Sequence, residues 1–153
     1  MLDWLPAALK GVDTADKTGR TISRLLRGRR GANRELLDEV RHNAGVCWCF
    51  LDAEADLERS VAALRHAVYD RLAAAGHDFN TLAKGTIAPD PSLARSELQS
   101  LQGKRTEDLL AGIYDRIKAL RLAHELEARP VRYTARFRNI QRRILLLLRH
   151  VAG

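Results

Sequence analysis

The sequence predicts an all-α protein, and three observations support that fold class. Apolar residues recur every three or four positions through most of the 153-residue chain, which places them along one side of a helix. No segment alternates β-branched or aromatic residues with polar ones, and no Asn-Gly or Asp-Gly hairpin turn occurs. Capping residues stand where the periodic stretches begin and end. We therefore expect an antiparallel bundle of four main helices over residues 31–153, preceded by an N-terminal two-helix amphipathic extension over residues 1–30.

The extension has the composition of two short amphipathic helices joined to the bundle by a hinge. Leucines at positions 2, 5 and 9 accompany Trp4 on one side of the first helix. The second helix has its own apolar side, and the glycines at positions 28 and 31 indicate a hinge after it. The apolar side of this second helix consists of Ala15, Thr18, Ile22 and Leu25.

The first two main helices are predicted as an antiparallel pair or as one kinked rod. Asn33 is a suitable N-cap for a helix that runs to about Leu51. A second apolar stripe runs from Leu57 to Ala75, and Gly76 follows at the position of a C-terminal cap. Two glycines and two prolines in residues 76–91 then predict a crossing loop with one turn of helix at most.

Three further helices are predicted after the loop. Asp90 and Pro91 match an N-cap followed by proline at the first helical position, which predicts a short helix up to Gly103. Thr106 caps the next helix, and Pro130 separates that helix from the last one. The last helix keeps a strict spacing of four and three residues, typical of a bundle, through Tyr133, Phe137, Ile140, Ile144, Leu147 and Val151.

Charge is distributed unevenly along the chain. The net charge of +7 divides into +4 for residues 1–30, −4 for residues 31–90 and +7 for residues 91–153. Residues 129–150 hold seven arginines and no acidic residue. On a helical wheel at about 100° per residue, the arginines of the last helix occupy the side opposite its apolar stripe. We expect six of them to bind an anionic partner surface: Arg132, Arg136, Arg138, Arg142, Arg143 and Arg149.

The sequence leaves two interpretations of this arginine surface open. The acidic residues between positions 31 and 90 lie close enough in an antiparallel bundle to neutralise it, and such exposed ion pairs contribute only about 0–1 kcal/mol each. Otherwise the arginines bind a partner, and the expected protein is then a non-enzymatic interaction or adaptor module that docks an anionic protein surface or a second copy of itself.

The second functional expectation is a polyanion binder, for either nucleic acid or an acidic membrane surface. A basic chain with a one-sided arginine surface has the charge pattern of a nucleic-acid-binding protein, although aromatic stacking residues and recognised binding motifs are lacking. Membrane contact would instead use the extension, where leucines accompany basic residues as in interfacial helices. The residues expected to make this peripheral membrane contact, or a contact with a partner, are Trp4, Arg20, Arg24, Arg27, Arg29 and Arg30.

The third expectation is a HEPN-like ribonuclease, which would need an arginine followed by a histidine with four to six residues between them. Arg71 and His77 fit this spacing, but His66 and His150 have matching arginines as well, and chance produces nearly as many matches in so arginine-rich a chain. The spacing therefore indicates no resemblance to that family. We expect no enzyme activity and no cofactor. We also expect no metal site, because Cys47 and Cys49 have no further cysteine pair as ligand partners.

The location expected by default is cytoplasmic. No apolar run exceeds six residues, whereas a membrane span needs about 20. The first residues lack the charged start and long apolar stretch of a signal peptide.

Overall fold

A computed structural model describes residues 15–153, with side chains from Gly19 onwards, and this part of the chain is all-α as predicted. Trp4 and the first predicted helix lie outside the described residues. The helices are α1 Ala15–Arg27, α2 Ala32–Asp52, α3 Leu57–Ala63, α4 Ala67–Ala74, α5 Thr106–Glu125 and α6 Tyr133–Ala152. Within residues 15–153 there is no β-strand, and one isolated bridge joins Thr86 to Arg105.

Helix α6 lies at the centre of the fold, in contact with α1, α2 and α5. Its predicted apolar stripe is confirmed, since Phe137, Ile140 and Ile144 are fully buried. Burial extends further than the stripe, because all five residues from 144 to 148 are buried. Five consecutive positions exceed one helical turn of 3.6 residues, so this part of α6 is enclosed on every side. The expected division of α6 into an apolar front and an arginine back is therefore wrong for its C-terminal half.

The other long helices complete one continuous core. The predicted stripes of α2 and α5 are buried, and Phe50 of α2 stacks on Phe137 of α6 with ring centroids 4.3 Å apart. Helix α1 belongs to the same core, because Ile22, Leu25 and Leu26 are buried among the residues of α2 and α6. The extension helix α1 is thus packed against α2 and α6 through the side that the sequence identified as apolar.

The predicted helix over residues 57–75 is wrong as a single element, because the chain breaks between α3 and α4. Asn43, which is 1% exposed on α2, donates its amide Nδ2 to the carbonyl of Arg65 and accepts the Arg65 N–H, each at 2.8 Å. One turn away, the buried Glu39 accepts the backbone N–H groups of Val68 and Tyr69 at 2.9 and 3.1 Å. These two side chains satisfy backbone groups that a continuous helix would pair internally, so they stabilise the break and the start of α4.

A third contact from α5 supports the same break. The guanidinium of Arg121 donates to the carbonyls of Val61, Ala62 and Leu64, at 3.3, 3.1 and 2.6 Å. Helix α4 ends shortly before Gly76, as predicted. The φ of 73° at Gly76 is the left-handed conformation that glycine adopts without strain.

The predicted helix between Pro91 and Gly103 is also wrong. Asp90 does cap the chain there, accepting the N–H of Ser92 at 2.8 Å, but only two 3₁₀ turns follow, at Pro91–Leu93 and Gln99–Leu101. Side chains compete with helical hydrogen bonding in this segment: the Ser96 hydroxyl donates to the Leu93 carbonyl, and the Gln102 side chain accepts the Asp90 N–H. The loop at residues 76–91 contains the single expected turn, at Phe79–Thr81.

Candidate anion-binding site

The six arginines predicted to bind a partner occupy different environments in the structure. Two of them already have carboxylate partners from the segment before α5. Arg142 donates from Nη1 to both carboxylate oxygens of Glu97, at 2.7 and 2.8 Å, and Arg149 donates to Asp90 at 3.0 Å. Burial acts to raise the pKa of Glu97, but the hydrogen bond and charge of Arg142 outweigh it and hold the pKa below its usual value. The chain itself therefore compensates part of the predicted arginine surface.

A third arginine, Arg143, is buried, so the expectation that it lies on the outer side of α6 is wrong. Its side chain is packed in the core with only 4% of the residue exposed, and its guanidinium donates to Oδ1 of Asn139. Its Nε has no hydrogen-bond partner in the described part of the chain. Burial, reinforced by the neighbouring charge of Arg116, lowers the pKa of Arg143 to about 10. Arg138, one of the remaining three, is half-buried.

The last two, Arg132 and Arg136, are exposed at the start of α6, where Arg116 of α5 joins them. The three guanidiniums line an open cavity of about 420 Å³, whose other lining residues are Pro130, Ala135 and Asn139. No carboxylate lines this cavity, and none of the three arginines is ion-paired within residues 15–153. We call this the α5–α6 cavity.

Hydrogen-bond donors dominate the polar lining of the α5–α6 cavity. A guanidinium has no acceptor atom, so Asn139 must present its oxygen to Arg143. Its Nδ2 group is then the polar group that it can offer to the cavity. One N–H group of Arg116 is used by the Gly112 carbonyl at 3.0 Å, which fixes the side chain along α5 and leaves its other donors available. The cavity thus combines three positive charges with an amide donor.

The arginines of the extension, like those of α6, differ in their exposure to solvent. Arg20, Arg24, Arg27 and Arg30 are exposed, whereas Arg29 turns inward and donates to the carbonyls of Leu25 and Leu82, each at 3.2 Å. Arg20, Arg24 and Arg27 line a cavity of about 700 Å³ that also includes Arg41 of α2. Arg41 is ion-paired with Asp38. We call the exposed set Arg20, Arg24 and Arg27 the α1 basic face.

The packing of α1 bears on the expected membrane contact. An interfacial helix inserts its apolar side into the lipid and keeps its basic side at the headgroups. Ile22, Leu25 and Leu26 lie in the protein core instead, so the apolar side of α1 is already occupied in this structure. The α1 basic face can still attract a polyanion electrostatically.

The three histidines with an arginine at ribonuclease spacing lie in separate hydrogen-bonded environments. The ring of His77 contacts Asn33 at 2.9 Å, that of His66 contacts Asp70 at 2.6 Å, and that of His150 contacts Thr106 at 2.9 Å. Cys47 is buried and Cys49 is exposed, both as free thiols. Across residues 15–153, no group of three or more histidine, cysteine or acidic side chains could hold a metal ion, and no helix could cross a membrane.

Sequence reasoning identified Arg132 and Arg136 but missed Arg116 and Asn139. Both missed residues lie on polar flanks of correctly predicted helices, and only the pairing of α5 with α6 brings them together. Comparison of the chain with protein-family models, with curated proteins and with solved structures finds no match.

Proposed function

We propose that this protein is a non-enzymatic interaction module that binds an anionic surface of a partner protein in the α5–α6 cavity. The observation that carries the proposal is the convergence of Arg116, Arg132 and Arg136 on one cavity that no carboxylate of residues 15–153 lines. Unpaired guanidiniums at one place form a ready site for carboxylate or phosphate oxygens, because their N–H groups match those oxygens geometrically.

An exposed apolar feature supports a protein as the partner. Leu122 near the end of α5 and Leu126 at its C-cap are 54% and 68% exposed, about two and three turns along the chain from Arg116. One helical turn separates the two leucines, so they lie side by side on the surface. Exposed apolar residues are typical of protein interfaces, where a buried apolar contact accompanies polar ones at the rim.

Paired charge-reversal variants test this proposal. The Arg132→Glu/Arg136→Glu double variant should lose binding of a fluorescent polyglutamate peptide by more than about tenfold, because two of the three cavity charges change sign. The matched control Arg20→Glu/Arg24→Glu changes the net charge equally on the α1 basic face and should bind like the original protein. Equal losses in both variants would show that only overall charge matters and would refute the cavity as the docking site.

A second candidate function is polyanion binding through the α1 basic face, which the exposure of Arg20, Arg24 and Arg27 favours. The same two double variants separate it from the first. Binding to a DNA duplex or to phosphatidylserine vesicles that is lost in Arg20→Glu/Arg24→Glu and kept in Arg132→Glu/Arg136→Glu supports this second function. Nucleic-acid binding of this kind should also weaken steeply with added salt.

A further inference from the structure

We propose that the α5–α6 cavity binds a phosphomonoester carried by a side chain of the partner protein, an inference that rests on the proposed function. Three guanidiniums reach the same cavity from α5 and from the start of α6. A phosphomonoester carries about −1.5 to −2 charges at neutral pH on three acceptor oxygens. A carboxylate offers a single charge on two oxygens, so it compensates less of the charge of three guanidiniums than a phosphomonoester does.

The buried Arg143 gives the cavity a fixed donor and additional positive charge. It lies behind Asn139 and orients that amide through its hydrogen bond to Oδ1, so that Nδ2 remains for an incoming oxygen. The only described carboxylate that acts on Arg143 is Glu97, and Arg142 already holds both Glu97 oxygens. Arg143 and Arg116 therefore form a like-charged pair that a dianion in the cavity would stabilise.

The shape of the cavity favours a phosphate presented by a protein. Arg116, Arg132 and Arg136 are all exposed, so a group that projects from a partner surface can reach them. No aromatic side chain lines the cavity, so it lacks the stacking surface on which single-stranded nucleic acids bind. The diesters of a nucleic acid also carry one charge each along a strand, whereas these three arginines line a single cavity.

The test uses the ¹⁵N-labelled protein and short peptides at low ionic strength. One peptide carries a single phosphoserine among glycines and serines, and two matched peptides carry glutamate or serine at that position. The phosphoserine peptide should shift the Asn139 side-chain amide signal and the Arg132 and Arg136 Nε signals, and should bind about tenfold more tightly than the glutamate peptide. The serine peptide should cause no shift.

Two variants make the test specific for the cavity. Asn139→Asp replaces the donor with a carboxylate that can pair with Arg143, so phosphopeptide binding should fall by at least about tenfold while thermal stability is kept or rises. Arg65→Gln removes an exposed arginine outside the cavity lining and should leave binding unchanged.

Each contrary outcome overturns a distinct statement. Equal affinity for the glutamate and phosphoserine peptides, with polyglutamate binding still dependent on Arg132 and Arg136, overturns the phosphate inference and leaves the proposed function standing. If inorganic phosphate binds as tightly as the phosphopeptide, the site recognises a free anion, and the inference that a partner protein carries the phosphate is overturned. Phosphopeptide binding that is unaffected by Asn139→Asp overturns the placement of the site. If Arg132→Glu/Arg136→Glu and Arg20→Glu/Arg24→Glu lose polyglutamate binding equally, the proposed function itself is refuted.

Discussion

Replacing Asn43 with alanine should lower the free energy of unfolding by about 3 kcal/mol, because two hydrogen bonds at the break between α3 and α4 disappear. Each such bond contributes roughly 0.5–1.5 kcal/mol net, and a buried polar group left without a partner costs about 1–3 kcal/mol. Asn43 is 1% exposed, so water has little access to replace its amide. For a domain of this size the loss corresponds to a fall in Tm of about 6–12 °C.

Urea denaturation followed by circular dichroism measures this loss of stability directly, and two further variants serve as comparisons. Asn43→Leu fills the volume but leaves the Arg65 backbone groups unpaired, so it should still destabilise by about 2 kcal/mol. Asn33→Ala removes an asparagine that contacts the exposed Thr81 hydroxyl at 3.2 Å and the His77 ring at 2.9 Å, and because this side chain is less buried than Asn43, the change should cost only about 1 kcal/mol. A loss below about 1 kcal/mol for Asn43→Ala would refute the idea that this side chain stabilises the break.

Two further predictions concern groups whose ionisation is disfavoured by burial. Arg143→Met should raise the free energy of unfolding by about 1–2 kcal/mol in urea denaturation, because it removes a desolvated charge next to Arg116, and a clear destabilisation would contradict this account. Burial lowers the pKa of His150, so the unfolded chain binds the proton more tightly and stability should fall as the pH drops below about 6.5. His150→Gln, which can keep a hydrogen bond to Thr106, should reduce that fall in Tm between neutral and mildly acidic pH; an unchanged fall would place the titrating group elsewhere.

The sequence predicted the elements that depend on local pattern. The apolar stripes of α2, α5 and α6, the caps at Asp90 and Gly76, and the apolar side of α1 follow from spacing and residue type within each segment. The helix over residues 57–75 was predicted as one element because its stripe is continuous. Its break depends on Asn43 and Glu39, which belong to a different helix and meet it only in the folded protein.

The candidate site was predictable only in part for the same reason. An arginine-rich, acid-free segment indicated Arg132 and Arg136, but the same pattern also selected Arg142 and Arg149. Those two are paired with Glu97 and Asp90. Glu97 lies within the segment predicted to be a helix and Asp90 directly precedes it, and the structure has two 3₁₀ turns there instead.

The central position of α6 has a consequence for synthesis of the protein on the ribosome. Every other described helix precedes α6 in the chain, yet α6 supplies the side chains around which α1, α2 and α5 pack. Until α6 has emerged, the nascent chain lacks the helix that covers much of the leucine-rich sides of its earlier helices, and exposed apolar surface of this kind is prone to aggregation and to chaperone capture. Folding of residues 15–153 therefore cannot be completed until α6 has been synthesised and packs against α1, α2 and α5.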